Sequence, residues 1–206
     1  PVLILFFPVE LAIMLTSIVH LLNNLFKFLL IGKHTDLKVV LKFGAPALIG
    51  AFLGAQLLFS LSAYDRILHY ELFNFSFDPT LVKIVIGLLL FMFALYELFP
   101  GEKVVQVSSK YLVLGGSLSG FFGGLSGNQG ALRTAFLINC GLSKEGFIAT
   151  GIVIACIVDI TRIPIYFSSL SEDLLNENFL VLTLATVGAF LGAILGRKLL
   201  KKVTFR

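Results

Sequence analysis

Long apolar stretches constrain the fold of this chain more than any other feature. A helix needs about 20 residues to cross about 30 Å of hydrocarbon. Five stretches reach that length, namely residues 9–31, 43–61, 80–99, 147–167 and 179–200. Composition agrees, because only 14% of the residues are charged and 57% are hydrophobic, whereas soluble proteins average about 25% charged residues. The sequence therefore predicts an all-α polytopic membrane protein with an apolar exterior.

Residues 110–140 form an apolar segment that does not fit the pattern of a simple span. Glycines interrupt its middle, at Gly120, Gly123, Gly124, Gly127 and Gly130, which predicts a broken helical hairpin. Lys and Arg cluster in the C-terminal tail, in the loop after the first span and in the middle loop, and such residues favour the cytoplasmic side. With the C-terminus cytoplasmic, both ends of residues 110–144 lie on that side, so we expect a re-entrant hairpin with its tip near Gly127.

A weak internal repeat relates the two halves of the chain. The words GAFLGAQLL from Gly50 and GAFLGAILG from Gly188 match, and an odd number of crossings separates the copies, as in the inverted repeats of many secondary transporters. We expect repeats over residues 1–100 and 101–206, with the first hairpin apparently truncated ahead of residue 1. The alternative is that GAFLGA is only a small-residue helix contact motif. A shift smaller by three residues pairs Glu10 with Glu145, Asn24 with Asp159 and Lys27 with Arg162.

The hairpin tip is the first candidate for an anion site. A returning half-helix that starts near Asn128 points unpaired N–H groups and a positive dipole end at the membrane centre. Arg133, one turn in, can offer a bidentate fork to an oxyanion. In the alternative, the glycines permit tight packing and Arg133 snorkels to the headgroups. The candidate residues are Ser126, Gly127, Asn128, Gln129, Gly130 and Arg133.

A polar stripe on the first span is the second candidate. His20, Asn23, Asn24 and Lys27 follow helical spacing, which places them on one face. The repeat pairs Lys27 with Arg162, so these cations could attract anions at the two mouths of the pathway. Both could instead snorkel, and Asp159 could neutralise Arg162. His20 could couple transport to protons or serve a structural role.

Residue patterns for other functions are absent from the sequence. It holds no HExxH motif, no Ser/His/Asp set and no Cys/His ligand group, and Cys140 and Cys156 form no CxxC pair. We therefore expect no enzyme, no metal, no cofactor and no nucleic-acid partner. The expected partners are a small anionic substrate and the lipid bilayer.

The glycine hairpin, the segment GLSKEGFIATG from Gly141 and the segment DITRIPIYF from Asp159 resemble the TauE/SafE (TSUP) family of sulfite exporters and related permeases. The resemblance implies two inverted repeats in the cell inner membrane and a substrate such as sulfite, thiosulfate or an organosulfonate. Many members carry a longer glycine run followed by Pro at the tip, and this chain departs from that pattern. The leading interpretation is a secondary transporter, an exporter with alternating access at a midplane site. A permease for other organic anions and a non-transporting membrane subunit are the alternatives, and proton or sodium coupling and a homodimer stay open.

Overall fold

A computed structural model describes residues 2–64, 70–72, 75–77, 79–98, 109–169 and 177–200. Short 3₁₀ turns lie at Val2–Leu5, Gly32–His34 and Ser109–Tyr111, and a π turn at Val40–Gly44 leads into the third helix. The helices are α1 (Val9–Ile31), α2 (Leu37–Val39), α3 (Ala45–Ser62), α4 (Leu81–Leu98), α5 (Leu112–Ser126), α6 (Gly130–Leu137), α7 (Lys144–Ser169) and α8 (Phe179–Leu200). A short antiparallel pair of strands, β1 (Tyr70–Leu72) and β2 (Phe75–Phe77), lies between α3 and α4.

Four helical segments of the described chain are long and apolar enough to cross a membrane. They are Val9–His34, Leu37–Ser62, Lys144–Ser168 and Phe179–Lys198. The fifth predicted span corresponds to α4, of which Leu81–Leu95 is an apolar helical segment. The charged tail beyond residue 200 and residues 101–108 of the middle loop, which entered the prediction of sidedness, lie outside the described residues.

Helices α1 and α7 pack against each other in opposite directions. Near the end of α1, the backbone N–H of Asp36 donates to Thr150 Oγ1 in the second turn of α7 at 3.0 Å. Near the start of α1, Ile13 and Met14 share a buried cluster with Tyr166, close to the end of α7. This antiparallel pair brings the middle of α1 beside the second half of α7, where the polar residues of both helices meet.

Helices α3 and α5 run in the same direction with their backbones in close contact. A Cβ on Gly116, Gly120 or Gly124 would overlap the carbonyl oxygens of Phe43, Ala47 and Ala51, respectively. Small residues allow such close approach between membrane helices. The glycines of α5 therefore fix its depth against α3.

The predicted break after α5 is present. Gly127 ends α5 in the left-handed conformation with φ 77°, which glycine adopts without a steric penalty, and α6 begins three residues later. Leu112 at the start of α5 and Leu137 at the end of α6 join one hydrophobic cluster with Val39 and Val40, so the two outer ends of this pair lie together. Re-entrance into a bilayer, and an inverted relation of the two halves, stay predictions.

Candidate anion-binding site

A cavity of about 300 Å³ lies between α1, α6 and α7, and we call it the polar cavity. Its polar side chains come from both of the predicted constellations, the hairpin and the stripe on α1. Its apolar lining residues come from the end of α6 and from the first turns of α7. The lining residues are His20, Asn24, Lys27, Arg133, Thr134, Leu137, Phe147, Ile148, Gly151 and Ile152.

Arg133 occupies the first turn of α6 and faces α7. Its Nε lies 3.6 Å from the position that a Cβ on Gly151 would take, so the glycine leaves room for the guanidinium. Nη1 of Arg133 is buried and has no hydrogen-bond partner among the described residues. A buried polar group without a partner is costly. The buried guanidinium of Arg133 also differs from one that snorkels to the headgroups, as in the alternative interpretation. The guanidinium therefore has a free donor beside the polar cavity.

Lys27 and His20 add two further basic groups to the lining of the polar cavity. His20 Nδ1 lies 2.6 Å from Asp159 Oδ2, and its side chain stays 36% exposed. Asn24 Nδ2 lies within 3.3 Å of both ring nitrogens of His20, so Asn24 holds the ring in place. The lining contains no Asp or Glu side chain among the described residues. The cavity can therefore balance the charge of an anion that enters it.

Asp159 and Arg162 form a buried pair directly behind His20. Arg162 donates to Asp159 Oδ1 from Nε at 3.0 Å and from Nη2 at 2.7 Å, and the two side chains are 1% and 0% exposed. Arg162 therefore does not lie at an exposed mouth, where the repeat had suggested it, but pairs with Asp159 as in the alternative interpretation. The carboxylate of Asp159 contacts two basic groups, His20 on the cavity side and Arg162 on the other.

The same Arg162 also binds the broken end of α5. Its Nη1 donates to the carbonyl oxygen of Gly123 at 2.6 Å, and the hydroxyl of Tyr166 donates to the carbonyl oxygen of Gly124. The last carbonyl groups of a helix have no partners within it. The N–H of Gly127, just after α5, donates to the Gly123 oxygen, and α7 supplies a second donor there and a donor for the Gly124 oxygen. Tyr166 was not among the predicted site residues, although its position four residues after Arg162 places it on the same helix face.

The tip residues lie apart from the polar cavity. Ser126, Gly127 and Asn128 line a separate cavity of about 40 Å³ beside α1. Gln129 is 2% exposed, and neither polar atom of its side chain has a hydrogen-bond partner among the described residues. A Cβ on Gly130 would have no heavy atom within 4 Å. Of the predicted hairpin residues, only Arg133 therefore joins the polar stripe of α1.

Asn23 separates from the rest of the stripe and faces α8. In the amide orientation that satisfies both groups, it donates to the carbonyl oxygen of Ala189 at 3.1 Å and accepts from Lys27 Nζ at 2.9 Å. Asn23 and Lys27 line a further cavity of about 400 Å³ between α1, α7 and α8, which we call the apolar cavity. Lys27 therefore borders both of the larger cavities.

No group of three His, Cys, Asp or Glu side chains that could hold a metal ion occurs in the part of the chain that the structure describes. Cys140 and Cys156 are free thiols, and Cys156 is buried. The arrangement around the polar cavity is thus one of basic and amide donors, which suits an anion.

Comparison with known proteins gives one result for the whole chain. The family model described as "Sulfite exporter TauE/SafE" matches residues 1–206. Neither the curated proteins nor the solved structures contain a match to the chain.

Proposed function

The chain belongs to the sulfite exporter TauE/SafE family, a multi-pass membrane protein family, and from this premise we propose that it is a secondary transporter that binds a small anion in the polar cavity. The observation that carries the proposal is the buried, unpartnered Nη1 of Arg133 beside Lys27 and His20. A planar guanidinium with a free donor suits an oxyanion, because it offers hydrogen bonds in a fixed geometry. The proposed substrate is a sulfur-containing anion such as sulfite or an organosulfonate, and the proposed direction is export.

The proposed transport cycle alternates access to the cavity between the two halves of the chain. Helix packing supports two equivalent halves, because α1 contacts α8 while α7 contacts α3, and α1 and α7 are antiparallel. Phe26 of α1 stacks on Phe190 of α8 with ring centroids 4.7 Å apart. On the other side, Gly44, just before α3, lies against Ile157 of α7. If α1 is exchanged with α7 and α3 with α8, the pair of α1 and α8 becomes the pair of α7 and α3. Inverted repeats over residues 1–100 and 101–206 require this correspondence of helix pairs.

Proposed sidedness and coupling follow from the same elements. The proposed location is the cell inner membrane, with the C-terminus and the outer ends of α5 and α6 on the cytoplasmic side, so that this hairpin is re-entrant. His20, which contacts both Asp159 and the polar cavity, is the proposed site of proton coupling. Sodium as the coupling ion and a homodimer are alternatives within the same proposal, and the proposed activity is transport without enzymatic catalysis.

Anion binding by the purified chain in lipid nanodiscs tests the proposal. We expect sulfite, thiosulfate or methanesulfonate to stabilise the protein in a thermal shift assay and to bind by calorimetry. Arg133→Gln should weaken binding by at least about tenfold, because charge-assisted hydrogen bonds contribute about 1.5–3 kcal/mol. Lys198→Gln, on an exposed turn of α8 outside both larger cavities, is the matched control. Binding that Arg133→Gln leaves unchanged contradicts the assignment of the site.

Flux measurements then separate a transporter from a non-transporting subunit. Proteoliposomes loaded with the anion that binds should release it faster with the wild-type chain than with Arg133→Gln. Tight binding without release favours the non-transporting subunit. Binding of acetate in preference to every sulfur oxyanion favours a permease for other organic anions.

A further inference from the structure

The small cavity beside the hairpin tip, which we call the tip cavity, has a lining without charged side chains among the described residues. Its polar groups come from Ser126 and Asn128 at the tip and from Thr16 of α1. Its volume of about 40 Å³ exceeds the space of about 10–15 Å³ that one water molecule needs, so a small ion fits. The apolar lining residues are Ile4, Ala12, Ile13 and Leu90.

The two hydroxyl groups of the tip cavity present acceptors to it. Thr16 Oγ1 donates to the carbonyl oxygen of Ala12 at 2.7 Å, and Ser126 Oγ donates to that of Phe122 at 2.9 Å. A hydroxyl group has one proton and two lone pairs, so each proton is used within its own helix. The N–H of Asn128 takes one lone pair of Ser126 at 3.3 Å. The remaining lone pairs are available to a cation.

The end of α5 adds two buried carbonyl groups. Leu125 and Ser126 are 3% and 7% exposed, and their carbonyl oxygens accept no hydrogen bond among the contacts described. Buried carbonyl groups without a partner are rare, and bound water or an ion often accounts for them. The C-terminal end of a helix also carries a partial negative charge, which favours a cation. The described lining includes no residue of α6, whose N-terminal end would favour an anion.

Arg162 lies close to the tip, but its charge is balanced. Its Nη1 is 3.3 Å from the position that a Cβ on Gly127 would take, and it donates to the carbonyl oxygen of Gly123. Its Nε and Nη2 both donate to Asp159. The guanidinium thus gives these donors to oxygen atoms of the protein, and the pair with Asp159 adds no net charge beside the tip cavity.

We propose that the tip cavity binds one Na⁺ ion through oxygen atoms of Thr16, Ser126 and Asn128. Unwound backbone carbonyls and the C-terminal ends of half-helices are the groups that coordinate Na⁺ in transporters built from repeats. Ca²⁺ and Mg²⁺ rely on carboxylate ligands, which are absent from the described lining. The ion joins α1 to the hairpin tip and gives sodium coupling a location. This inference goes beyond the proposed anion site and does not depend on it.

Thermal unfolding of the chain in nanodiscs tests the inference, with chloride salts of Na⁺, K⁺ and choline compared at equal ionic strength and without an anionic substrate. We expect saturable stabilisation by Na⁺ above the levels in K⁺ and choline. Thr16→Val removes one ligand and keeps the shape of the side chain, so it should weaken the response to Na⁺ at least about fivefold.

Thr161→Val is the matched control. Its hydroxyl also donates within its own helix, to the carbonyl oxygen of Ile157 at 2.7 Å, and Thr161 does not line the tip cavity. It should keep the wild-type response to Na⁺. Equal stability in the three salts assigns the tip cavity to water and overturns the inference. A response to Na⁺ that Thr16→Val keeps in full places the ion elsewhere and overturns it as well.

Separate titrations with anions distinguish this inference from the proposed function. If Na⁺ stabilises the chain through Thr16 while no sulfonate and no inorganic sulfur oxyanion binds, the sodium site stands and the proposed function fails. If an anion binds through Arg133 while Na⁺ has no selective effect, anion binding stands and the sodium site is wrong.

Discussion

Arg162 donates a hydrogen bond from Nη1 to the carbonyl oxygen of Gly123 at 2.6 Å, so that a buried cation of α7 binds the broken end of α5. The same guanidinium pairs with Asp159, which contacts His20 at the polar cavity. A continuous series of polar contacts therefore connects the polar cavity to the helix break.

Loss of one partner in the Asp159–Arg162 pair should destabilise the protein strongly. Both side chains are fully buried, and removal of one partner from a buried pair typically costs about 3–5 kcal/mol, because the other charge is left without compensation. We expect Arg162→Gln and Asp159→Asn each to lower the thermal unfolding temperature. The double variant should be less destabilised than the sum of the two, and additive effects would contradict a direct pair.

Tyr166→Phe should have a smaller effect that is confined to stability. The substitution removes the hydroxyl that donates to the Gly124 carbonyl oxygen and keeps the ring, which lies 5.9 Å from the guanidinium carbon of Arg162. A lost hydrogen bond of this kind costs about 1–3 kcal/mol when an acceptor stays buried. The measurement is the unfolding temperature in detergent, with Tyr111→Phe, at an exposed site, as control. Equal effects of the two variants would argue against this bond.

Sequence patterns predict the membrane class, most spans and the hairpin break, because length, hydropathy and glycine spacing act locally. The break at Gly127 and the polar stripe of α1 are both present. The combination of Arg133 with that stripe could not be predicted, since it depends on how α6 packs against α1 and α7. For the same reason, the sequence groups the tip residues with Arg133, whereas the structure directs Ser126, Gly127 and Asn128 to another cavity.

Burial of Arg162 is a second feature that needed the structure. From spacing alone, a surface position and a pair with Asp159 are equally consistent with helical geometry. The carbonyl oxygens of Gly123 and Gly124 accept from Arg162 and Tyr166 at the broken end of α5, which favours the buried position. That preference comes from the tertiary contact of two helices and leaves no trace in the local sequence.

Gly120→Ala should disrupt the contact between α3 and α5. An added Cβ would overlap the carbonyl oxygen of Ala47, and backbone atoms cannot move aside without a shift of a whole helix. Overpacking of this kind costs about 1–3 kcal/mol, so we expect a lower unfolding temperature and weaker anion binding. Gly87→Ala in α4, where a Cβ would have no heavy atom within 4 Å, should be neutral or slightly stabilising. A neutral Gly120→Ala would show that the helices are further apart.

His20→Gln should remove the response of sulfonate transport to a proton gradient. A sulfonate is the anion of a strong acid and carries no proton of its own, so proton coupling needs a group of the protein. The groups around His20 are Asp159 from α7, with Arg162 behind it, Asn24 and Lys27 from α1, and Arg133 from α6 across the cavity. Because His20 contacts both Asp159 and the polar cavity, we expect an imposed proton gradient to change the initial rate of sulfonate uptake into proteoliposomes.

That response should be present in the wild type and absent in His20→Gln, which keeps a polar group beside Asp159. His34→Gln is the matched control, because His34 lies in the exposed turn after α1 and bonds only its own backbone neighbour Ile31 among the contacts described. It should keep the wild-type response. If His34→Gln loses the response to the proton gradient and His20→Gln keeps it, coupling through the contacts of His20 and Asp159 is wrong.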